Sequence, residues 1–173
     1  AKYTGKNTHL EDNIYYEIIT DLNHLCPDMI RLIFRIQPYS KFCLISDSNY
    51  ISGLPAGTYL RYGRENYADE KGLILNSDGR ICGSGSWVLR NIRQLVQVVG
   101  IPVEQAFYMA SLYPARYLGI DQETGSLRNG KRADMIFVDE DFICQRTFVG
   151  GKQVFDRKED MTETILNAEA MKL

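Results

Sequence analysis

The feature that most constrains the fold of this chain is a strand, helix, strand pattern within residues 15–46. A β-branched and aromatic run, YYEIIT, spans residues 15–20, and a compact apolar run, KFCLIS, spans residues 41–46. Between them, apolar residues recur at three- and four-residue spacing, which predicts a helix over residues 28–36 with one buried face. That predicted face consists of Met29, Leu32, Ile33 and Ile36. Nearly continuous apolar strands flanking a helix indicate a parallel βαβ unit in an α/β protein.

The rest of the chain changes character twice. Residues 58–81 alternate short β-prone pieces with turns, which predicts antiparallel strands. Two amphipathic helical patterns follow, over residues 88–99 and from Pro102 onward. Near the carboxyl end, the run DMIFVD at 134–139 precedes two β-prone runs that flank Gly150-Gly151, which is a hairpin signal.

Composition and charge exclude several classes of protein. The 173 residues are 45% hydrophobic and 24% charged, as in a globular protein, which excludes a disordered or coiled-coil chain. The net charge is -2, so the chain has no excess of basic residues of the kind that nucleic-acid-binding proteins usually carry. Membrane insertion is not expected, because no apolar stretch approaches the roughly 18–20 residues of a span. Four cysteines without a CxxC pair predict reduced thiols in a cytoplasmic protein.

Two polar, titratable residues follow the two strands of the predicted βαβ unit. Asp47 comes directly after the second strand, and His24 lies in the loop after the first. Carboxyl ends of parallel strands meet at one edge of a sheet, where ligands and catalytic groups gather in α/β folds. The alternatives are a turn-capping Asp47 and an exposed loop histidine. The second histidine, His9, is interpreted as a surface residue in a polar segment.

The segment CGSGS at residues 82–86 precedes a predicted helix and allows two interpretations. Its backbone amides could bind an anion such as a phosphate, or it could be a capping loop with Ser86 as N-cap. Nucleotide binding is disfavoured, since the segment has neither a P-loop lysine nor GxGxxG spacing. Cys82 has no basic neighbour in the sequence to activate it as a nucleophile.

Several ordered stretches together resemble the carboxyl-terminal part of the N-acetylglucosamine-6-phosphate deacetylase family of the amidohydrolase superfamily. The similarity runs from about residue 15 to residue 156, and the strand-end His and Asp with the CGS segment are its most specific features. The stretches are ITDLNH (19–24), LISDS (44–48), GLPAGTY (53–59), CGS (82–84), LRN (89–91), EQAFYMASLYPARYLGI (104–120), GSLRNGKRADMIFVDEDF (125–142) and TFVGGKQV (147–154).

The resemblance implies a fold and a division of the chain. The fold is α/β, namely the last strands and helices of a metal-dependent hydrolase (β/α)8 TIM barrel plus strands of a small β-sandwich. Residues 1–54 and 81–118 would belong to the barrel, residues 55–80 and 119–156 to the sandwich, and residues 157–173 would form a polar tail.

The resemblance also implies roles for the candidate residues. Asp47 would be the general acid/base, taking a proton from a metal-bound water that attacks the acetamide carbonyl and delivering it to the departing amine. His24 would hydrogen-bond the substrate, and a loop at residues 81–84 would close over the sugar phosphate. The implied substrate-binding residues are Asp21, Leu22, Asn23, His24, Ile81, Cys82, Gly83 and Ser84. Leu22 stands where the family usually has glycine.

The part of the family pattern that binds the metal is not found in this sequence. The family holds a divalent metal, Zn or Fe, with a glutamate and two histidines upstream of the matched region, and this chain has no corresponding stretch. We therefore expect no metal on this chain alone and no activity from it in isolation. Two alternatives remain open: a non-catalytic remnant or interaction module of the same fold, and an amidohydrolase acting on another, cyclic amide. Relatives of this type also suggest a homodimer.

Overall fold

The predicted βαβ unit is confirmed in the computed structural model, which describes residues 14–160. Strand β1 (Tyr16–Ile19) lies parallel to β2 (Phe42–Ile45), and helix α1 (Pro27–Ile36) connects them. The two strands pair in register, with Ile19 opposite Ile45. Their carboxyl ends therefore lie at the same edge of the sheet, as expected. The interpretations of His9 and of residues 161–173 of the tail concern positions outside the described residues.

The predicted buried face of α1 is wrong in part. Met29, Leu32 and Ile36 are 45%, 50% and 68% exposed, whereas Ile30 is fully buried. Ile33 and Phe34 pack beside Ile30 against the core. The helix carries two apolar stripes offset by about one residue, and periodicity alone does not choose which one faces the sheet.

One hydrophobic core joins the strand pair to the helices that follow. Helix α2 (Val88–Gln94) continues as a π-helical turn (Leu95–Val99), and two short helices, α3 (Val103–Ala110) and α4 (Leu112–Tyr117), come next. The fully or almost fully buried members of this core include Ile18, Ile30, Phe42, Leu44, Ile92, Leu95, Ala106 and Met109. The helix between β1 and β2 and the helices that follow β6 therefore share one core with the two strands.

Arg31 fixes α1 against the end of the π-helical turn. Its Nε donates to the carbonyl oxygen of Val99 at 3.0 Å, and Nη2 donates to that of Val98 at 2.6 Å. Nη1 contacts Asp28 in the first turn of α1 at 2.7 Å. The guanidinium thus satisfies carbonyls that a helix end leaves without partners.

A four-stranded antiparallel sheet lies between β2 and α2, as the alternating pattern predicted. Its strands, in spatial as well as chain order, are β3 (Gly57–Arg61), β4 (Arg64–Ala68), β5 (Leu73–Asn76) and β6 (Ile81–Ser84). Ile51, Ala68 and Ile74 form a small separate core against it. The expected boundary between residues 80 and 81 falls within this sheet, because residues 81–84 are its last strand.

A three-stranded antiparallel sheet ends the described chain. It consists of β7 (Met135–Val138), β8 (Cys144–Val149) and β9 (Lys152–Asp156), and the predicted Gly150-Gly151 hairpin joins the last two. No residue in these strands is in the buried class. Among residues 14–160, no helix combines the length and apolar character needed to cross a membrane.

Candidate functional site

The candidate site lies where β1 and β2 end side by side. Leu22 follows β1 with a φ of 63°, and Asp47 follows β2 with a φ of 51°. Residues other than glycine rarely adopt this left-handed conformation, and such strain concentrates at functional sites. Glycine would adopt the Leu22 conformation without this strain.

Asp21 is the buried centre of the site. Its side chain is 1% exposed, and its Oδ1 accepts hydrogen bonds from the backbone N–H groups of Asn23 and His24, each at 3.0 Å. Oδ2 accepts a hydrogen bond from the Ser84 hydroxyl at 2.7 Å and lies 3.0 Å from His24 Nδ1. Asp21 thereby fixes the loop after β1 and joins it to the end of β6.

The hydrogen bonds to Asp21 decide its charge state. Burial by itself raises the pKa of this carboxyl, but the bonds from His24, Ser84 and Asn23 outweigh burial and hold the pKa below its ordinary value. Asp21 is therefore a carboxylate at neutral pH and accepts hydrogen bonds only.

This carboxylate orients His24. Because Asp21 accepts only, the neutral imidazole carries its proton on Nδ1 and presents Nε2 as an acceptor. The His24 side chain is 21% exposed, so the alternative of a freely exposed loop histidine does not describe it. The arrangement leaves one ring nitrogen available to a ligand at the rim.

Residues 81–84 form strand β6 and not the predicted loop. Ser84 is fully buried, and while its hydroxyl binds Asp21, its backbone N–H donates to the Asp47 carbonyl at 2.8 Å. Ser84 therefore ties the ends of β1 and β2 together and does not offer its hydroxyl to solvent. Sequence analysis missed this because the partners lie 63 residues apart for Asp21 and 37 apart for Asp47.

The other residues of β6 set the position of the Asp47 turn. A Cβ atom on Gly83, whose φ is 82°, would lie 2.9 Å from both the Asp47 carbonyl and Asn49 Cβ. Asn49 Nδ2 donates to the Cys82 carbonyl at 2.7 Å, and Ile81 is 45% exposed. Only glycine permits this close approach of the strand to the turn.

Asp47 itself projects at the surface of the site. The residue is exposed, and no hydrogen bond within residues 14–160 uses its carboxylate. The alternative of a carboxylate that caps its own turn is therefore not what the structure shows. Asn49 caps the turn instead, because its Oδ1 accepts a hydrogen bond from the Ile51 N–H at 3.0 Å.

Two amide side chains near Asp21 remain incompletely bonded. Gln94 Nε2 donates to the Asp21 carbonyl at 3.3 Å, while its Oε1 has no partner within the described part of the chain. The same holds for Asn23 Nδ2, which is buried. Because both atoms are buried, their lack of a partner is costly.

Asn91 is a positioning residue that sequence analysis did not single out. It is fully buried, accepts the Ser86 hydroxyl at 2.6 Å and donates to the Ile45 carbonyl at 3.3 Å. Its own carbonyl accepts from Thr20 at 3.3 Å. The available signal was a polar residue on the apolar stripe of α2. The alternative interpretation of Ser86 as the N-cap of α2 is wrong, because the N-cap in the structure is Trp87.

The described residues do not hold a metal by themselves. Within residues 14–160, no three His, Cys, Asp or Glu side chains converge as ligands would. Asp21 and His24 are already bonded to each other, and a catalytic zinc site uses three protein ligands. The part of the chain described here therefore does not fit a complete metal site.

The chain belongs to the amidohydrolase family, because the model of that family matches residues 3–154.

Among its relatives, the chain is similar to two named deacetylases. It is 35% identical over 147 residues to N-acetylglucosamine-6-phosphate deacetylase of Vibrio furnissii, covering 85% of this chain and 36% of that protein. It is 32% identical over 138 residues to a putative N-acetylgalactosamine-6-phosphate deacetylase of Escherichia coli K12, covering 80% of this chain and 81% of that protein.

A solved structure has the same fold over most of the chain. The crystal structure of N-acetylglucosamine-6-phosphate deacetylase from Pasteurella multocida superposes with a TM-score of 0.76 at 29% identity, covering 83% of this chain and 38% of that one. This chain thus spans little more than one third of the length of the Vibrio and Pasteurella proteins.

Proposed function

We propose that this chain carries the acid/base and substrate-holding part of a sugar-phosphate N-deacetylase, which converts N-acetylglucosamine 6-phosphate to glucosamine 6-phosphate and acetate. The observation that carries the proposal is the unbonded Asp47 carboxylate at the same rim as His24, which the buried Asp21 orients. The named deacetylases among the relatives support the choice of substrate.

Asp47 acts as the general base and then as the general acid. Its carboxylate takes a proton from the water that attacks the acetamide carbonyl. It returns that proton to the amine nitrogen as the C–N bond breaks, so that acetate and a free amine leave. A carboxylate without internal hydrogen bonds is suited to this cycle, because no protein donor competes for the lone pair that must accept the proton.

His24 and its neighbours hold the sugar. The Nε2 atom of His24 forms a hydrogen bond with a sugar hydroxyl, and Asn23, whose backbone N–H is bonded to Asp21, holds the loop beside it. Leu22 and Asp21 shape the loop, while Ile81, Cys82, Gly83 and Ser84 form the wall beside the sugar phosphate. Within that wall Ser84 is a positioning residue, since its hydroxyl is bonded to Asp21.

The rest of the expected architecture belongs to the same proposal. Residues 14–54 and 85–118 supply the last strands and helices of a (β/α)8 barrel, which typically needs about 250 residues, whereas residues 81–84 belong to the four-stranded sheet. Residues 55–80 and 119–156 supply sandwich strands. The ligands of the divalent metal expected of the family lie outside the described residues, and four free cysteines support a cytoplasmic location.

A second candidate substrate is N-acetylgalactosamine 6-phosphate. The Escherichia coli relative named for that substrate is matched over 81% of its own length, so it and this chain have nearly the same length. The two substrates differ only in the configuration of one hydroxyl group, and the same residues could serve both.

A chimera tests the proposal directly. The region of the Vibrio furnissii enzyme that aligns with this chain is replaced by the corresponding residues of this chain. Acetate release is then measured with both N-acetylhexosamine phosphates and with a cyclic amide. We expect a clear preference for the N-acetylhexosamine phosphates.

Two results would contradict the proposal. A folded chimera that releases no acetate from either sugar phosphate would indicate a non-catalytic remnant or interaction module. Hydrolysis of the cyclic amide in preference to both sugars would assign the site to another amide.

A further inference from the structure

A cavity lies near the candidate site but shares none of its residues. It has a volume of about 330 Å³ and lies between the loop after Asp47 and the start of α2. The residues that matter for its chemistry are Gly53, Asp69, Glu70, Gly85, Trp87 and Arg90. None of residues 21–24, Asp47 or 81–84 lines it.

Trp87 gives the cavity an aromatic wall. It is the only tryptophan in the chain, and it is 56% exposed. Its six-membered ring lies beside Gly53, where a Cβ atom would approach Cζ3 to 3.9 Å. An aromatic of this size usually buries its surface, and the face of the indole carries the partial negative charge that attracts polarised C–H groups.

Polar groups stand on the wall of the same cavity. Asp69 is fixed by the N–H groups of Lys71 and Leu73, which donate to its Oδ1 at 2.9 and 2.8 Å. Arg90 Nη2 donates to the Lys71 carbonyl at 2.9 Å, which holds the guanidinium in place while leaving it further donors. Glu70 is exposed. Carboxylate acceptors and guanidinium donors are thus available around one aromatic face.

The base of the cavity is backbone. The Gly85 N–H donates to the Gly72 carbonyl at 2.9 Å, and a Cβ on Gly85 would lie 3.0 Å from Gly72 Cα. The two glycines let the backbones on either side of the cavity base pack directly against each other, which a side chain at Gly85 would prevent.

We propose that this cavity is a second sugar-binding site, which takes an uncharged pyranose with its C–H face on Trp87 and its hydroxyls toward Glu70 and Arg90. The cavity is at the lower end of the range of about 300–1,000 Å³ for small-ligand sites, which fits one sugar ring. Two carboxylates against one guanidinium oppose a phosphate monoester, so the preferred ligand has no phosphate. The site is distinct from the proposed deacetylation site.

The single tryptophan makes the test direct. The chain is titrated with N-acetylglucosamine while Trp87 emission is recorded with excitation selective for tryptophan. We expect a saturable change in emission. Glu70→Ala, in the turn after β4, should weaken binding about tenfold, whereas the control Glu65→Ala, an exposed glutamate within β4 and outside the cavity, should not change it. Asp47→Asn should also leave the titration unchanged.

A second measurement does not depend on the fluorescence of Trp87. Ligand-detected NMR should show that Trp87→Ala weakens N-acetylglucosamine binding about tenfold or more, as expected when a stacking surface is removed. The proposal is overturned if no saturable emission change occurs, or if Glu70→Ala and Glu65→Ala behave alike. It is also overturned if Asp47→Asn abolishes the change, which would place the ligand at the deacetylation site.

Discussion

The Asp21 carboxylate holds several parts of the candidate site together. It is almost completely buried, and each of its oxygens accepts hydrogen bonds from the loop after β1 or from β6. Hydrogen bonds to a charged group typically contribute about 1.5–3 kcal/mol. The geometry of the candidate site therefore depends on a residue whose carboxylate is fully engaged within the fold.

The lowered pKa of Asp21 makes stability depend on pH in a definite direction. The carboxyl binds its proton less readily in the folded than in the unfolded chain, so the folded state gains stability at pH above the ordinary value of 3.8. That contribution is lost as pH falls below this value toward the lower pKa of the folded state. Urea unfolding as a function of pH should show this loss in the wild type.

The Asp21→Asn variant provides the comparison. It should be less stable than the wild type at neutral pH, by about 1–3 kcal/mol, and it should lose less of its stability on acidification. A wild type and a variant whose stabilities fall in parallel below pH 4 would show that Asp21 is not the group responsible.

Gly125 determines how the segment after α4 packs. Its φ is 85°, and a Cβ atom there would lie 2.7 Å from Ala115 Cβ and 3.0 Å from the Ser111 carbonyl. Gly130 has a nearly identical φ of 87° but open space around it. Comparing substitutions at these two glycines therefore distinguishes the cost of backbone strain from the cost of steric overlap.

Substitution of the two glycines should give unequal losses of stability. Gly130→Ala should cost about 1–2 kcal/mol, because alanine is strained in the left-handed region. Gly125→Ala should cost about 1–3 kcal/mol more, because the methyl group also displaces α4. Thermal or urea unfolding measures both changes, and equal losses for the two variants would rule out the contact with α4.

The strands and helices could be read from the sequence more reliably than their faces and partners. Apolar runs located β1 and β2, and their parallel order placed Asp47 and His24 at one rim. The predicted face of α1 is wrong in part, since Ile30 and not Met29 faces the core, although Ile33 packs against it as predicted. Residues 81–84 looked like a loop because a short glycine-containing strand has little periodicity, and its pairing with β5 is a tertiary contact.

The two ends of the described chain are packed very differently. The main core joins β1, β2 and the helices, whereas β7, β8 and β9 contribute no residue of the buried class. The aromatic contact of this sheet region with the helices is Phe142 stacked on Phe107, with ring centroids 6.2 Å apart. Regions with few buried apolar contacts open at lower free energy.

Hydrogen exchange should reveal this difference. Backbone amides of β7, β8 and β9 should exchange faster than those of β2 and α2 under native conditions. Mass spectrometry of peptides from both regions measures the rates. Uniform protection across residues 16–156 would show instead that the described chain unfolds as one unit.

If Asp47 transfers the proton in deacetylation, as proposed, the rate of acetate release depends on its carboxylate. In the Vibrio chimera, Asp47→Asn should lower kcat on N-acetylglucosamine 6-phosphate about 10²–10⁴-fold with KM little changed. Asp78→Asn, an exposed carboxyl in the turn before β6, is the matched control and should have no effect. A kcat for Asp47→Asn that equals the control would remove Asp47 from the reaction.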